Sequence, residues 1–161
     1  MDTKLLRQTF GKFPTGVTVV TWFDESGING ITVNSFTSVS LEPALALISI
    51  DKKANSLVKL KDRPFTINIL SDKQEAIAWQ FAGKQQDGLV IDWDETGQSP
   101  TILGSAANLV CKPWKEVDAG DHVLFIGEIT DFVKCDEESL TFYQGKMGST
   151  NNLNNIEIGG A

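Results

Sequence analysis

Thr32-Val33-Asn34-Ser35-Phe36-Thr37-Ser38-Val39-Ser40-Leu41-Glu42-Pro43 is the stretch from which the rest of the chain is read. Five of its twelve side chains carry a hydroxyl, one is an amide and none is cationic. Strand-like apolar runs bracket it, at 16–22 and 28–33 before and 44–50 after. Buried polar groups need hydrogen-bond partners, so small donors and acceptors set between core strands are costly unless something polar lies against them. The stretch is therefore either a solvated Ser/Thr turn or a wall facing a planar, polar ligand that lies along the sheet.

Working outward, residues 17–22 are β-branched and aromatic, a strand, and Asp24-Glu25-Ser26-Gly27 is a hairpin turn that returns 28–33 antiparallel to it. Residues 44–50 are almost continuously apolar, the pattern of a strand covered on both faces. Upstream, Leu5, Leu6 and Phe10 give a short amphipathic helix over 3–10. Downstream, Ser56 stands at the start of a short helix with Leu57, Val58 and Leu60 on its apolar side, and 65–70 is the next strand. Ser71 and Gln74 have the spacing of a capping box, Ala76, Ile77, Ala78 and Phe81 follow at helical intervals, and Gly83 is a C-terminal stop. Residues 85–104 form a polar excursion anchored by Ile91 and Trp93; runs 106–114, 123–133 and 140–143 close the sheet. Short strands joined by hairpins imply a mainly β, predominantly antiparallel barrel with a few short helices.

Composition narrows the function. The chain has 161 residues, 41% apolar and 22% charged, with a formal charge of −7, which suits one globular domain. An acidic balance spread along the chain speaks against a nucleic-acid or anionic-membrane surface. Cys111 and Cys135 follow no metal or redox spacing with the single histidine, so no metal is expected. No apolar run approaches the ~20 residues of a membrane span and the first ten residues lack a signal h-region, so no membrane association and a cytoplasmic location are expected. Neither a GxGxxG turn nor a P-loop is present.

Phe13-Pro14-Thr15-Gly16-Val17-Thr18-Val19-Val20-Thr21, the 32–41 stretch with Pro43, and Gly120-Asp121-His122 together resemble the short-chain flavin reductases, the reductase partners of two-component flavin monooxygenases. Phe65-Thr66-Ile67-Asn68-Ile69-Leu70-Ser71, Phe81-Ala82-Gly83, residues 100–111 and Gly127-Glu128-Ile129 fall in register, so the similarity spans roughly residues 8 to 146. The resemblance implies a Greek-key split β-barrel that binds FMN or FAD at a homodimer interface. It also implies oxidation of NADH or NADPH and, as a partner, a flavin-dependent monooxygenase component. The domain is then expected to cover 1–147, with 148–161 as a poorly ordered tail.

By the same similarity, Asn34, Ser35 and Phe36 lie along the isoalloxazine, and Thr37, Ser38 and Ser40 toward the ribityl and phosphate end. Thr32, Asp51, Phe81 and Ala82 are also implied at the cofactor. Ser56 and Lys84 are phosphate candidates, with Lys52 and Lys53 as alternatives, and Tyr143 is placed near the dinucleotide. His122 is implied to position the nicotinamide, since hydride transfer needs stacking and distance more than an acid or base. Asp121 caps the turn or orients that ring. The alternatives are a non-enzymatic FMN carrier of the same fold and a split-barrel protein binding another planar ligand such as haem.

Overall fold

In the computed structural model, residues 1–155 are described. Helix α1 (Thr3–Phe10) leads into β1 (Thr15–Gly16), β2 (Thr18–Asp24), β3 (Gly27–Val33), β4 (Thr37–Leu41) and β5 (Ala44–Asp51). Then come α2 (Ser56–Leu60), β6 (Phe65–Ile69), α3 (Glu75–Gln80), β7 (Trp93–Asp94) and β8 (Thr101–Ile102). The chain continues through β9 (Ala107–Ala119), β10 (His122–Lys134), β11 (Leu140–Tyr143), β12 (Lys146–Ser149) and a 3₁₀ turn at Thr150–Asn155. β12 thus reaches two residues past the expected domain end at 147; the last part of the expected tail, 156–161, lies outside the described residues. So do the side chains of Leu57 and Val58.

Seven strands form one sheet in the order β3-β2-β6-β9-β10-β5-β4, every pair antiparallel. Three hairpins explain most of that order, β2–β3, β4–β5 and β9–β10, and β6 inserts between the first and the last. Inward side chains from β2 (Val20, Trp22), β5 (Ala46, Ile48, Ile50), β6 (Phe65, Ile67), β9 (Cys111) and β10 (Phe125) meet in one core, with Ile31 and Val33 of β3 packed against it. Strands far apart in the order therefore share one interior, which means that the sheet is rolled. Hydrogen bonding leaves the roll open between β3 and β4, the split of the barrel. Within the core, burial pushes the Cys111 thiol up to about 12, so it packs as an apolar group.

A second core of Val17, Val19, Leu70, Ile77, Ala78, Ile102 and Leu140 lies on the other face of β2. That two-sided covering is why residues 17–22 are buried without alternation, including Thr18 and Thr21. Between the cores a buried polar knot is fully paired. Asn68 donates to Val19 O (2.8 Å) and Thr21 Oγ1 (3.0 Å), and its carbonyl accepts from Ile102 N (3.0 Å) and Asn108 Nδ2 (2.8 Å). Thr21 in turn donates to Pro100 O at 2.5 Å, and Ser105 to Ile102 O at 2.9 Å. The expected polar excursion is thereby fastened to β2, β6 and β9 near its end, and β7 and β8 pair within it.

The register of β9 against β10 shifts between Ile126 and Gly127, where the two strands cross the core closely. A Cβ on Gly127 would sit 2.7 Å from Phe65 Cζ and 2.8 Å from Cys111 Cβ. Gly127→Ala should cost about 1–3 kcal/mol through overpacking, read as a lower denaturant midpoint; an unchanged midpoint would mean that this crossing has slack.

Candidate functional site

The stretch at 32–43 is built in two parts. Val33 ends β3, Asn34 to Phe36 bridge the split, and β4 runs back beside β5. Ser35 fixes the bridge: its hydroxyl donates to Ser49 O and accepts from Ser49 N, both at 2.9 Å. Thr32 fixes the approach, with its N–H donating to Phe81 O (3.0 Å) and its hydroxyl to Ala78 O (2.6 Å). Both hydroxyls, read from the sequence as facing a ligand, are thus used to hold the backbone.

Around the bridge lies a groove of about 710 Å³, within the range of small-ligand sites. Phe13 to Thr18 form one wall, Asn34 to Thr37 another, and Ser139 to Thr141 with Thr150 the end. Val17, Phe36, Ile69 and Leu140 give it an apolar bed, while Thr15, Asn34, Thr37 and Thr141 bring polar groups. Thr15 Oγ1 is buried and has no hydrogen-bond partner among the described residues, a polar atom left over in the wall of the groove. An apolar bed with spare polar atoms at its margin fits a tricyclic ring with one hydrogen-bonding edge. Through Asn34 and Val17 the groove shares its lining with a smaller hollow of about 200 Å³, formed with Thr32, Val33, Trp79, Ala82, Phe142 and Met147.

Other expected residues fall elsewhere. A bulge between Ser38 and Ser40 sets Ser38 against Ala46 but Ser40 against Leu45. Directly opposed residues share a face, and Ala46 and Leu45 point to opposite ones, so the two serines cannot face one ligand together. Ser40 instead accepts from Glu42 N at 3.3 Å. Ser56 is the first residue of α2 and not its cap; Asn55 holds that position without a side-chain bond, and the helix has only five residues. The ring of Phe81 packs edge-on to Trp93, with centroids 6.2 Å apart, and a Cβ on Gly30 would fall 2.8 Å from it, so Phe81 is packing and only its carbonyl reaches Thr32. Ser71 makes half of the expected capping box: its N–H donates to Gln74 Oε1 at 3.0 Å, while its own hydroxyl is buried without a partner among the described residues.

Lys84 Nζ lies 4.4 Å from the centre of the Trp79 ring, which itself lines the smaller hollow. A cation is therefore held at the hollow's edge. Tyr143 is partly exposed and lines a shallow hollow with Thr141, Gln144 and Lys146. Lys52 is ion-paired with Asp118, and its N–H donates to Asp121 O at 2.9 Å.

His122 lines neither the groove nor the smaller hollow. It opens β10 opposite Asp51, the last residue of β5. Asp51 turns the chain there, accepting from Lys53 N at 2.8 Å and through its carbonyl from Ala54 N at 2.9 Å. Asp51 stands two residues beyond Ser49, the anchor of Ser35, or ~6.6 Å along the strand. β5 thus holds the bridge through Ser49 and pairs with the histidine through Asp51. The ring is oriented by Asp121, Nδ1 to Oδ1 at 2.7 Å, and that hydrogen bond holds the exposed Asp121 carboxyl below its ordinary value.

Sequence reading missed the roles of Thr15, Trp79 and Phe142. Trp79 precedes Ala82 by three residues, the spacing of one helix face. Phe142 alternates with Thr141 and Tyr143 along β11. Among the described residues, no cluster of His, Cys, Asp and Glu could hold a metal ion, and no helix is long and apolar enough to cross a membrane.

Comparison with known proteins accords with this geometry. The chain is 40% identical over 144 residues to the reductase component of a flavin-dependent trigonelline monooxygenase from Acinetobacter baylyi; that match takes in 87% of this chain and 46% of the longer protein. The solved flavin reductase PheA2 is 41% identical, with a TM-score of 0.88 over 92% of this chain and 98% of its own. The NADH:FAD oxidoreductase SgcE6 of Streptomyces globisporus, solved with NAD and FAD fragments, is 38% identical with a TM-score of 0.83, covering 91% of this chain and 92% of that one. Residues 10–151 match the flavin reductase like domain, and the chain belongs to that family.

Proposed function

We propose that the protein is an NAD(P)H:flavin oxidoreductase that reduces FMN or FAD and supplies reduced flavin to a monooxygenase component. The observation that carries this is the groove at the split. It combines an apolar bed, a Thr15 hydroxyl unpartnered among the described residues and the exposed side chain of Asn34 with a bridge already fixed by Ser35. The flavin, when bound, supplies the acceptor for the two electrons and the hydrogen that leave the dihydronicotinamide as hydride. What this chain's residues do is positional. Val17, Phe36, Ile69 and Leu140 bed the rings and exclude water, Asn34 and Thr37 offer bonds to a polar edge, and Lys84 offers a charge beyond Trp79. His122, steadied by Asp121, holds the dihydronicotinamide. Flavin reduction is tested by anaerobic mixing of the flavin-loaded protein with NADH or NADPH. Bleaching of the blue absorption band is expected with at least one nucleotide. No bleaching at millimolar nucleotide would favour a flavin carrier, and a Soret band in the purified protein would point to haem.

The working unit is a homodimer in the cytoplasm. Phe13, Val39, Leu41 and Phe132 are large apolar residues left exposed on one chain, Leu41 almost entirely so at 96%. Sedimentation at micromolar concentration should give twice the 17.6 kDa of one chain; a 17.6 kDa particle alone would dismiss the dimer.

A further inference from the structure

Helix α1 leaves most of its apolar side uncovered, with only Leu6 half-buried. Leu5 and Phe10 are 58% and 70% exposed and no residue of the helix is buried. Its polar stripe Lys4, Arg7, Gln8 and Gly11, spaced as one helix face, is largely exposed and lines an open surface hollow. With Lys12 on the same side, that hollow measures about 780 Å³, and Phe142, Gln144 and Gly145 form its opposite wall.

The hollow's chemistry is of one sign. It contains three cations and no carboxylate in a chain of net charge −7. Among the described residues, none of the three makes an ion pair, whereas Lys52, Arg63, Lys73 and Lys112 do. Phe142 adds an aromatic side chain and also lines the smaller hollow beside Asn34, so the two spaces meet at one residue. Positive charges spaced along a helix and an aromatic wall suit an anionic chain joined to a planar base.

We propose that the hollow between α1 and the β11–β12 turn is a subsite for an adenosine 5′-diphosphate group, that of the reduced nicotinamide dinucleotide or of FAD. The proposal rests on the flavin reductase reading for its choice of ligand. Arg7 and Lys12 bind the diphosphate, Lys4 and Gln8 extend the contact, and Phe142 packs against the base or its ribose.

The test uses calorimetric titration with adenosine 5′-diphosphate, together with steady-state rates and FMN and FAD titrations. The probe should bind the wild type, more weakly as salt is raised. Arg7→Gln with Lys12→Gln should weaken it about tenfold or more, while FMN affinity stays within about twofold, since neither residue lines the flavin groove. Arg7→Lys with Lys12→Arg, which keeps both charges, should retain binding. If the diphosphate belongs to the nicotinamide dinucleotide, KM for it rises in parallel; if it belongs to FAD, FAD affinity falls and that KM does not. Equal affinity of wild type and the doubly neutralised variant for the probe, or no binding by the wild type at millimolar concentration, overturns the subsite. Loss of probe binding in the neutralised variant of a protein whose wild type oxidises neither nucleotide would sink the reductase reading and leave the subsite standing.

Discussion

His122→Ala should leave flavin affinity within about twofold and slow anaerobic reduction of the bound flavin by ~10- to 100-fold, the loss expected when a reactant is held less well and no acid or base is removed. The ring stands outside the groove that lines Asn34 and Phe36, which is why affinity should be spared. It is oriented by Asp121 at 2.7 Å and fixed through the pairing of His122 with Asp51 at the end of β5. Asp121→Asn keeps the shape and removes the charge of the orienting partner, so it should give a smaller loss in the same step. Stopped-flow bleaching separates the outcomes. Reduction as fast in His122→Ala as in the wild type would remove the histidine from the reaction while leaving the enzyme intact. A loss well beyond 10⁴ would exceed what general acid–base removal typically costs and would point to disruption of the β5–β10 end itself.

Asn68→Ala should destabilise the fold by about 3 kcal/mol or more. Asn68 is fully buried and uses both amide hydrogens and its carbonyl in four bonds. Truncation orphans Ile102 N–H inside the structure and strips Asn108 Nδ2 of its shorter bond, leaving it Ile102 O at 3.2 Å. Each buried group so orphaned costs about 1–3 kcal/mol, to which a small cavity adds. For a chain of this size that corresponds to a fall in melting temperature of roughly 6–12 °C. A shift under about 1 kcal/mol in urea unfolding would mean that water replaces the amide, and the knot would then be ornament to the fold.

Much of this architecture was legible in the residues, and the exceptions have physical causes. The β2–β3 hairpin follows from Asp24 to Gly27 between apolar runs, whereas β12 and the tight turn before it, with Gln144 and Gly145 both at positive φ, were not read from the sequence. The apolar run over 44–50 suggests covering on both faces, but β5 buries only Ala46, Ile48 and Ile50, and leaves Leu45, Leu47 and Ser49 on its other face partly covered. Period-two reasoning fails at Val39, because one extra residue in β4 reverses which face the later side chains take, and nothing in Ser-Val-Ser announces it. The pattern of α1 shows which side of the helix is apolar; it does not show whether a partner for that side lies in the same chain. The family resemblance implies Phe81 at the cofactor, yet its ring fills the space that Gly30 leaves empty on β3, about fifty residues away in sequence. Hydroxyl count was a fair guide to the place and a poor guide to the role: Thr32 and Ser35 build the wall, and the groove hydroxyl that is buried without a partner among the described residues is that of Thr15, from a strand that pairs with β11.

The Ser35 clamp has a bearing on traffic. Because its two bonds to Ser49 are made within the chain, the bridge at 34–36 is ordered when the protein folds and not when flavin arrives. Entry then carries no entropy charge for arranging that loop. The bridge itself then need not rearrange before departure. Oxidised flavin can enter and reduced flavin leave through the same standing opening.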